Sequence, residues 1–386
     1  MWLPGDPIPA FAARTASNPR YAFYTAAGRY VVLSFLGSAA QDDTRQVLRY
    51  VEERRALFDD SHLSFFGVSI DPNDEALGRL RDMIPGIRYF RDLDRKVSRQ
   101  YGALASGPAS TTLYRPFTLV LDPMLRVIAS IPLLPAEHHN KVLGDTLQRL
   151  PPVAEHAGTA MHAPVLILPR VFEADLCREL IAVYEQYGGR ESGFMREVDG
   201  KTVEVREHRF KRRDDFEFEK RPELAPLREA ILARLRRRLL PEIKRAFQFE
   251  VTRMERYIVA RYDSDEGGFF RPHKDNTTPG TAHRRFACTI NLNAEDYTGG
   301  DLRFPEFGRR SYRAPSGGAV VFSCSLLHEA TPVTSGARYA FLPFFYDEQA
   351  ARQREHNAPS LTGQVFDHAK GQDEYAALAQ EAGATE

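Results

Sequence analysis

The run Arg271-Pro272-His273-Lys274-Asp275 places an imidazole and a carboxylate two residues apart in a stretch rich in β-branched and aromatic residues. Side chains two apart on a strand leave from the same face, so His273 and Asp275 converge on one point. Together they make two-thirds of a 2-His-1-carboxylate facial triad, which holds Fe(II) on one face and leaves the opposite positions open. The missing histidine is expected on a later strand. His328 stands 55 residues on, at the end of the apolar run Val320 to His328, and Arg338 follows ten residues beyond it. A guanidinium there suits a dicarboxylate co-substrate that chelates the metal at one end and needs its far carboxylate paired bidentately. HxD alone recurs by chance. HxD followed in order by a histidine and an arginine, in a strand-rich segment, is far more specific.

The elements that must position these residues are short. From 250 to 346, Gly-Gly pairs beginning at 267, 299 and 317 separate β-rich runs, as expected of many short strands joined by turns. Upstream, Val165 to Leu168 reads as a strand, and Phe172 to Tyr187 carries Leu176, Leu180 and Tyr184 at helical spacing. Residues 206 to 245 hold 14 Lys or Arg against 8 Asp or Glu, read chiefly as one solvated helix face, with an anion-binding surface as the lesser reading. Residues 151–164 (PPVAEHAGTAMHAP) suit a linker, and 349–386 lose apolar content, as a frayed helix or a disordered tail would. In residues 1–150, strand patterns at Arg29 to Phe35, His62 to Ile70, Phe117 to Asp122 and Arg126 to Ile131 alternate with helical ones. One helix carries Val47, Val51 and Phe58 on a face, and another is expected over Asn73 to Met83. This alternation indicates an α/β layer architecture.

Two resemblances become specific at this point. Gly5-Asp6-Pro7-Ile8-Pro9-Ala10-Phe11, the strand VVLSF and the later RPFTLVLD occur in an order that resembles the redoxin (peroxiredoxin-like) branch of the thioredoxin fold. Redoxin chemistry needs a thiolate at the turn after the first strand. That turn reads Gly37-Ser38-Ala39-Ala40-Gln41-Asp42-Asp43, and the first cysteine of the chain is Cys177. Thiol peroxidase activity is excluded on this reading, and a redoxin fold kept as a docking or structural module is expected. Pro116, before a core strand, is the candidate for the cis-proline of such folds.

Residues 165–348 closely resemble the Fe(II)- and 2-oxoglutarate-dependent oxygenases of the prolyl 4-hydroxylase-like branch. YDSDEGGFFRPHKD, NLNAEDYTGGDL and LLHEATPVTSGARYAF are similar to that family's tyrosine and HxD, its Gly-Gly strand and its distal histidine and arginine block. The resemblance implies a double-stranded β-helix (jelly roll), with His273, Asp275 and His328 on iron and Arg338 on the distal carboxylate of 2-oxoglutarate. Tyr262 is a co-substrate ligand or plain packing. The implied reaction is oxidative decarboxylation of 2-oxoglutarate to succinate and carbon dioxide with hydroxylation of a substrate C–H bond. Dioxygen is the second co-substrate, and ascorbate binding is a further implication. The fold class expected is therefore two-domain: an N-terminal α/β thioredoxin-like domain and a C-terminal jelly roll with supporting helices.

Other candidates read as structural. His283 lies in the polar stretch Asn276 to Arg285 as a loop residue. His138 and His139 are neighbours on a helix and do not face one another. Cys288 and Cys324 fall on core strands, and Asp263, Asp265 and Glu266 form a solvated acidic loop.

Composition bounds the rest. The 52 basic and 52 acidic residues cancel, which argues against a dedicated nucleic-acid or anionic-membrane binder. Three cysteines do not make a disulfide framework or a cysteine zinc site. No apolar run nears the ~20 residues that span a bilayer, and the start has no signal-peptide pattern, so a cytoplasmic location is expected. The substrate is peptidyl or a small molecule. The redoxin-like module would orient substrate, brace the oxygenase, or serve homodimerisation or protein docking. A non-catalytic iron- and 2-oxoglutarate-binding sensor is the alternative, and repair of alkylated nucleic acid the weakest third reading.

Overall fold

Residues 2–104, 113–218 and 221–367 are described by a computed structural model. They divide into two units: Met1–His162 with Pro305–Arg309, and Ala163–Phe304 with Arg310–Glu386.

In the first unit the strand Tyr30–Gly37 (β1) is buried at every position. An apolar run of that kind suits a central strand covered on both faces. It is followed by the helix Asp42–Glu53 (α1), which turns Thr44, Val47, Leu48 and Val51 inward. Leu63–Ser69 (β2) and Ile87–Arg91 (β3) add parallel strands on one side of β1. Phe117–Leu121 (β4) and Val127–Pro132 (β5) add antiparallel ones on the other, giving the order β3-β2-β1-β4-β5. Ala136–Gln148 (α2) packs Leu143 into the cluster that holds Val32, Val47 and Val51. This is a thioredoxin-like α/β fold. The helix expected over Asn73 to Met83 is only Pro72–Ala76 long, because Gly78 takes a left-handed φ of 62° and ends it. Pro116 is not a cis-proline; the cis X-Pro bonds among the described residues are Ile84–Pro85 and Leu134–Pro135.

The turn that would carry a redoxin thiolate is closed by carboxylates. Ser38 Oγ donates to Asp71 at 2.6 Å, and the Ala39 N–H and Ser69 Oγ donate to buried Asp74 at 2.9 and 2.7 Å. Asp74 also pairs with Arg79 at 3.2 Å. Two donors of this turn, Ser38 Oγ and the Ala39 N–H, are thus spent on internal carboxylates, in a turn that holds no cysteine.

The second unit opens with Leu166–Leu168 (β6) and Ala174–Tyr187 (α3), whose buried face is Leu176, Cys177, Leu180 and Tyr184. A hairpin follows, Phe194–Val198 (β7) and Lys201–Arg206 (β8). Next come Lys211–Arg212 (β9) and Asp214–Glu217 (β10), then helices Ala225–Arg234 (α4) and Leu240–Phe247 (α5). The helices place Leu227, Ile231 and Ile243 in one core with α3. Arg236, Arg237 and Arg238 between them are exposed, as a solvated face should be.

The remaining strands form the jelly roll. Arg253–Glu255 (β11), Ile258–Asp263 (β12) and Phe269–His273 (β13) lead to Phe286–Asn291 (β14), Leu302–Arg303 (β15) and Ser311–Tyr312 (β16). Ala319–Ser323 (β17), His328–Ala330 (β18), Ala337–Phe341 (β19) and Phe344–Tyr346 (β20) complete it. One sheet runs β9-β13-β18-β15-β16. The larger runs β11-β20-β14-β19-β12-β10, with β17 and β6 joined through β14. The C-terminal stretch is more ordered in pattern than its composition implied: Glu348–Asn357 (α6) is a helix capped by Asp347, and Leu361–Asp367 (β21) pairs parallel with β8. Residues 368–386 lie outside the described residues. No described helix is long and apolar enough to cross a membrane.

Candidate metal centre

β13 and β18 are antiparallel neighbours in the smaller sheet, and their register sets His273 directly opposite His328. The ladder shifts between Phe270 and His273, a local irregularity that re-aims the end of the strand. Asp275, just past the strand, is pinned by its N–H donating to Cys324 O at 3.0 Å. Its carboxylate comes to 3.5 Å from His273 Nε2 and 3.3 Å from His328 Nε2. One ligand atom from each of the three residues lies within 4.8 Å of the others.

Both imidazoles are oriented by the same device. His273 Nδ1 lies 2.7 Å from Arg271 O, and His328 Nδ1 lies 3.0 Å from Leu326 O. A carbonyl only accepts, so Nδ1 carries a hydrogen in each ring, and Nε2 is the atom turned toward Asp275. Phe270 stacks on the His273 ring at 3.5 Å between centroids, and Phe322 meets His328 edge-on. Burial first, and then the neighbouring His328, push His273 down to about 4. Burial alone would raise Asp275, but the two imidazoles override it and hold it well below the usual carboxylate range. A His273 imidazole that burial keeps neutral near pH 7 and an ionised carboxylate therefore face one another beside His328. That arrangement is unfavourable by itself and is relieved by a cation between them. The donor set fits Fe(II).

Across from these ligands, the larger sheet contributes a cross-strand pair. Tyr262 on β12 stands opposite Arg338 on β19, with the guanidinium 5.0 Å from the ring centroid. Arg338 is only 2% exposed, and its Nε and Nη1 have no hydrogen-bond partner among the described residues. Donors so buried cost about 1–3 kcal/mol each when unpaired, more for a charged group. A carboxylate would satisfy them, so the guanidinium suits the distal end of 2-oxoglutarate. Gly300 makes room for this: at its φ of 65° an added Cβ would lie 3.2 Å from Arg338 Cδ.

Two further side chains escaped the sequence reading. Tyr297 is a hydrogen-bonded neighbour of Arg338; burial pushes its hydroxyl up while the guanidinium pulls it down. Arg213 lies where the chain leaves the smaller sheet at β9 and joins the larger at β10, and it is 8% exposed. Its Nη1 donates to Tyr262 Oη at 3.3 Å, and Nη2 donates to Asp215 at 2.6 Å. Lys211, Arg213 and Asp215 alternate inward here, so this part of the charged run is interior, not a solvated face. Arg236 to Arg238, with Lys244 and Arg245 on α5, fit that expectation.

His283 lies in the loop before β14, as expected, but is drawn into the interior. It is 1% exposed, with Nε2 3.0 Å from Glu255, which also binds Arg284. His139 is likewise buried, against Thr118 Oγ1 at 2.8 Å. Cys288 and Cys324 are buried and free, as expected. Asp263 is paired with Arg261.

Residues 257–346, which include Tyr262, His273, Asp275, His328 and Arg338, match the 2OG-Fe(II) oxygenase superfamily. Residues 4–130 match the AhpC/TSA family. The chain carries a 2OG-Fe(II) oxygenase superfamily domain and, before it, an AhpC/TSA family domain without cysteine. It is similar to a PKHD-type hydroxylase of Paracoccus denitrificans (strain Pd 1222), 38% identical over 103 residues, 25% of this chain and 44% of that protein. A PKHD-type hydroxylase of Cupriavidus metallidurans is 33% identical over 107 residues, 25% of this chain and 46% of the relative. The chain thus spans less than half the length of these curated relatives. Among solved structures, a Pseudomonas putida prolyl-4-hydroxylase is similar over 48% of this chain and 94% of its own, at 21% identity and a TM-score of 0.36.

Proposed function

We propose that the chain is an Fe(II)- and 2-oxoglutarate-dependent dioxygenase that hydroxylates a C–H bond of a peptidyl or small-molecule substrate, releasing succinate and carbon dioxide. One observation carries the reading. Three side chains that can ligate a metal, through His273 Nε2, His328 Nε2 and the Asp275 carboxylate, converge at one sheet, and the other sheet holds a buried arginine whose Nε and Nη1 have no hydrogen-bond partner among the described residues. His273, Asp275 and His328 would hold the metal. When bound, iron supplies the activation of dioxygen that oxidative decarboxylation of 2-oxoglutarate requires. Arg338 binds and orients the far carboxylate, which fixes the co-substrate end to end. Phe270, Phe304 and Phe322 around the imidazoles exclude water from the ligand side. The likeness to PKHD-type hydroxylases supports the reaction class.

The test is succinate formation from 2-oxoglutarate in air with added Fe(II). Wild type should form succinate, and Asp275→Ala should not. Equal yields from both, or none from wild type, would overturn the proposal.

A further inference from the structure

Tyr262 faces Arg338 across two strands, yet its hydroxyl is bonded to a different guanidinium. Among the described residues its hydrogen-bond partner is Arg213 Nη1, at 3.3 Å. Arginine has five donors and no acceptor, so the tyrosine oxygen must accept. Its one hydrogen is left unspent, inside a pocket where the ring is 3% exposed. Two cations also lie close to the ring: the Arg338 guanidinium carbon is 5.0 Å from its centroid and that of Arg213 is 5.7 Å.

Arg213 is itself rigidly held. Asp215 accepts from it at 2.6 Å and Ser192 Oγ lies 3.2 Å away, while the Ser192 N–H donates to the Arg213 carbonyl at 2.9 Å. Asp215 is braced in turn by Arg256 at 3.1 Å, and Lys211 donates to Ser192 Oγ at 2.6 Å. Buried charges at inward strand positions are costly, and packing alone would favour apolar residues there. Their placement calls for a use.

We infer that Arg213 is a positioning residue of the co-substrate pocket: by donating to Tyr262 Oη, it commits that hydroxyl's hydrogen to the distal carboxylate of 2-oxoglutarate beside Arg338. This rests on the proposed function and adds to it a dependence on Arg213 that acts only through Tyr262. It also decides between the two roles the sequence leaves for Tyr262, in favour of ligand.

The experiment is anaerobic titration of the Fe(II) protein with two probes, 2-oxoglutarate and 2-oxobutyrate, followed by the visible metal-to-ligand band. 2-Oxobutyrate keeps the chelating end and lacks the second carboxylate. Arg213→Met should weaken 2-oxoglutarate about tenfold, the size of one hydrogen bond to a charged group, and leave 2-oxobutyrate unchanged. Tyr262→Phe should do the same, and the double variant should be no worse than either alone. Arg213→Lys, which keeps a donor, should recover part of the loss. Losses that multiply in the double variant, or equal weakening of both probes, would overturn the inference and leave Arg213 a structural residue. Should Arg213→Met not fold, Tyr262→Phe alone decides, since an unchanged 2-oxoglutarate affinity there refutes it. Wild type binding neither probe would remove the proposed function and this inference together.

Discussion

Replacing Arg338 by methionine removes the guanidinium donors beside Tyr262 while keeping most of the side-chain volume. Arg338 is 2% exposed, and its Nε and Nη1 have no hydrogen-bond partner among the described residues, so it has been desolvated in advance for an anion. Removing one partner of such a buried charge pair costs about 2–5 kcal/mol of binding. At about 1.4 kcal/mol per factor of ten, the dissociation constant for 2-oxoglutarate should rise from roughly 30-fold to a few thousand-fold. An uncompensated buried charge destabilises the ligand-free chain, so Arg338→Met should melt at or above wild type in the absence of 2-oxoglutarate. Equilibrium dialysis of labelled 2-oxoglutarate under argon, with thermal melts of the ligand-free proteins, reads both effects. An affinity within about threefold of wild type, or a weaker affinity accompanied by a lower melting point, would refute the argument.

Further outcomes follow from the packing around this pocket. Asp215 is pushed up by burial but held at about 2 by Arg213, Lys211 and Arg256. Its folded value lies below the unfolded one near ~3.9, so its contribution is present above that value and fades as pH falls toward 2. Urea melts between pH 5 and pH 2 should show wild type losing about 2 kcal/mol more than Asp215→Asn; parallel curves would count against the pairing. In Gly300→Ala the new Cβ would lie 2.8 Å from Val333 Cγ2 and 3.2 Å from Arg338 Cδ, at a φ of 65°. The variant should lose about 1–2 kcal/mol of stability and bind 2-oxoglutarate more weakly, and unchanged binding would place Arg338 elsewhere. Burial pushes the Cys177 thiol up to about 11 and raises Cys288 and Cys324 as well. The native chain should therefore label with a thiol reagent only after unfolding and should not consume peroxide; rapid native labelling would contradict both.

The centre was legible in the sequence because strand geometry is periodic. The two-residue spacing brings His273 and Asp275 together although Asp275 lies just past the strand, and the apolar run before His328 splits into the strand Ala319–Ser323 and a turn, with His328 opening the next strand. The β-α alternation of the first 150 residues was readable for the same reason, since β1 and β2 are continuous apolar runs. What escaped notice breaks the hydrophobic code. Lys211, Arg213 and Asp215 point inward, yet KRRDD has no apolar alternation to show it. His283 sits in a polar stretch, and only tertiary pairing with Glu255 buries it. The helix over 73–83 stops after Ala76 because Gly78 supplies a left-handed turn, whereas α6 forms despite its polarity through the Asp347 cap.

The central claim is that three side chains make one iron site that recruits a dicarboxylate. Anaerobic titration of the chain with Fe(II), then with 2-oxoglutarate, tests it directly when wild type and His273→Ala are compared. The account predicts one iron per wild-type chain and a visible band that appears only with 2-oxoglutarate, both lost in the variant. Wild type that binds neither iron nor 2-oxoglutarate, or a variant that still develops the band, would contradict it.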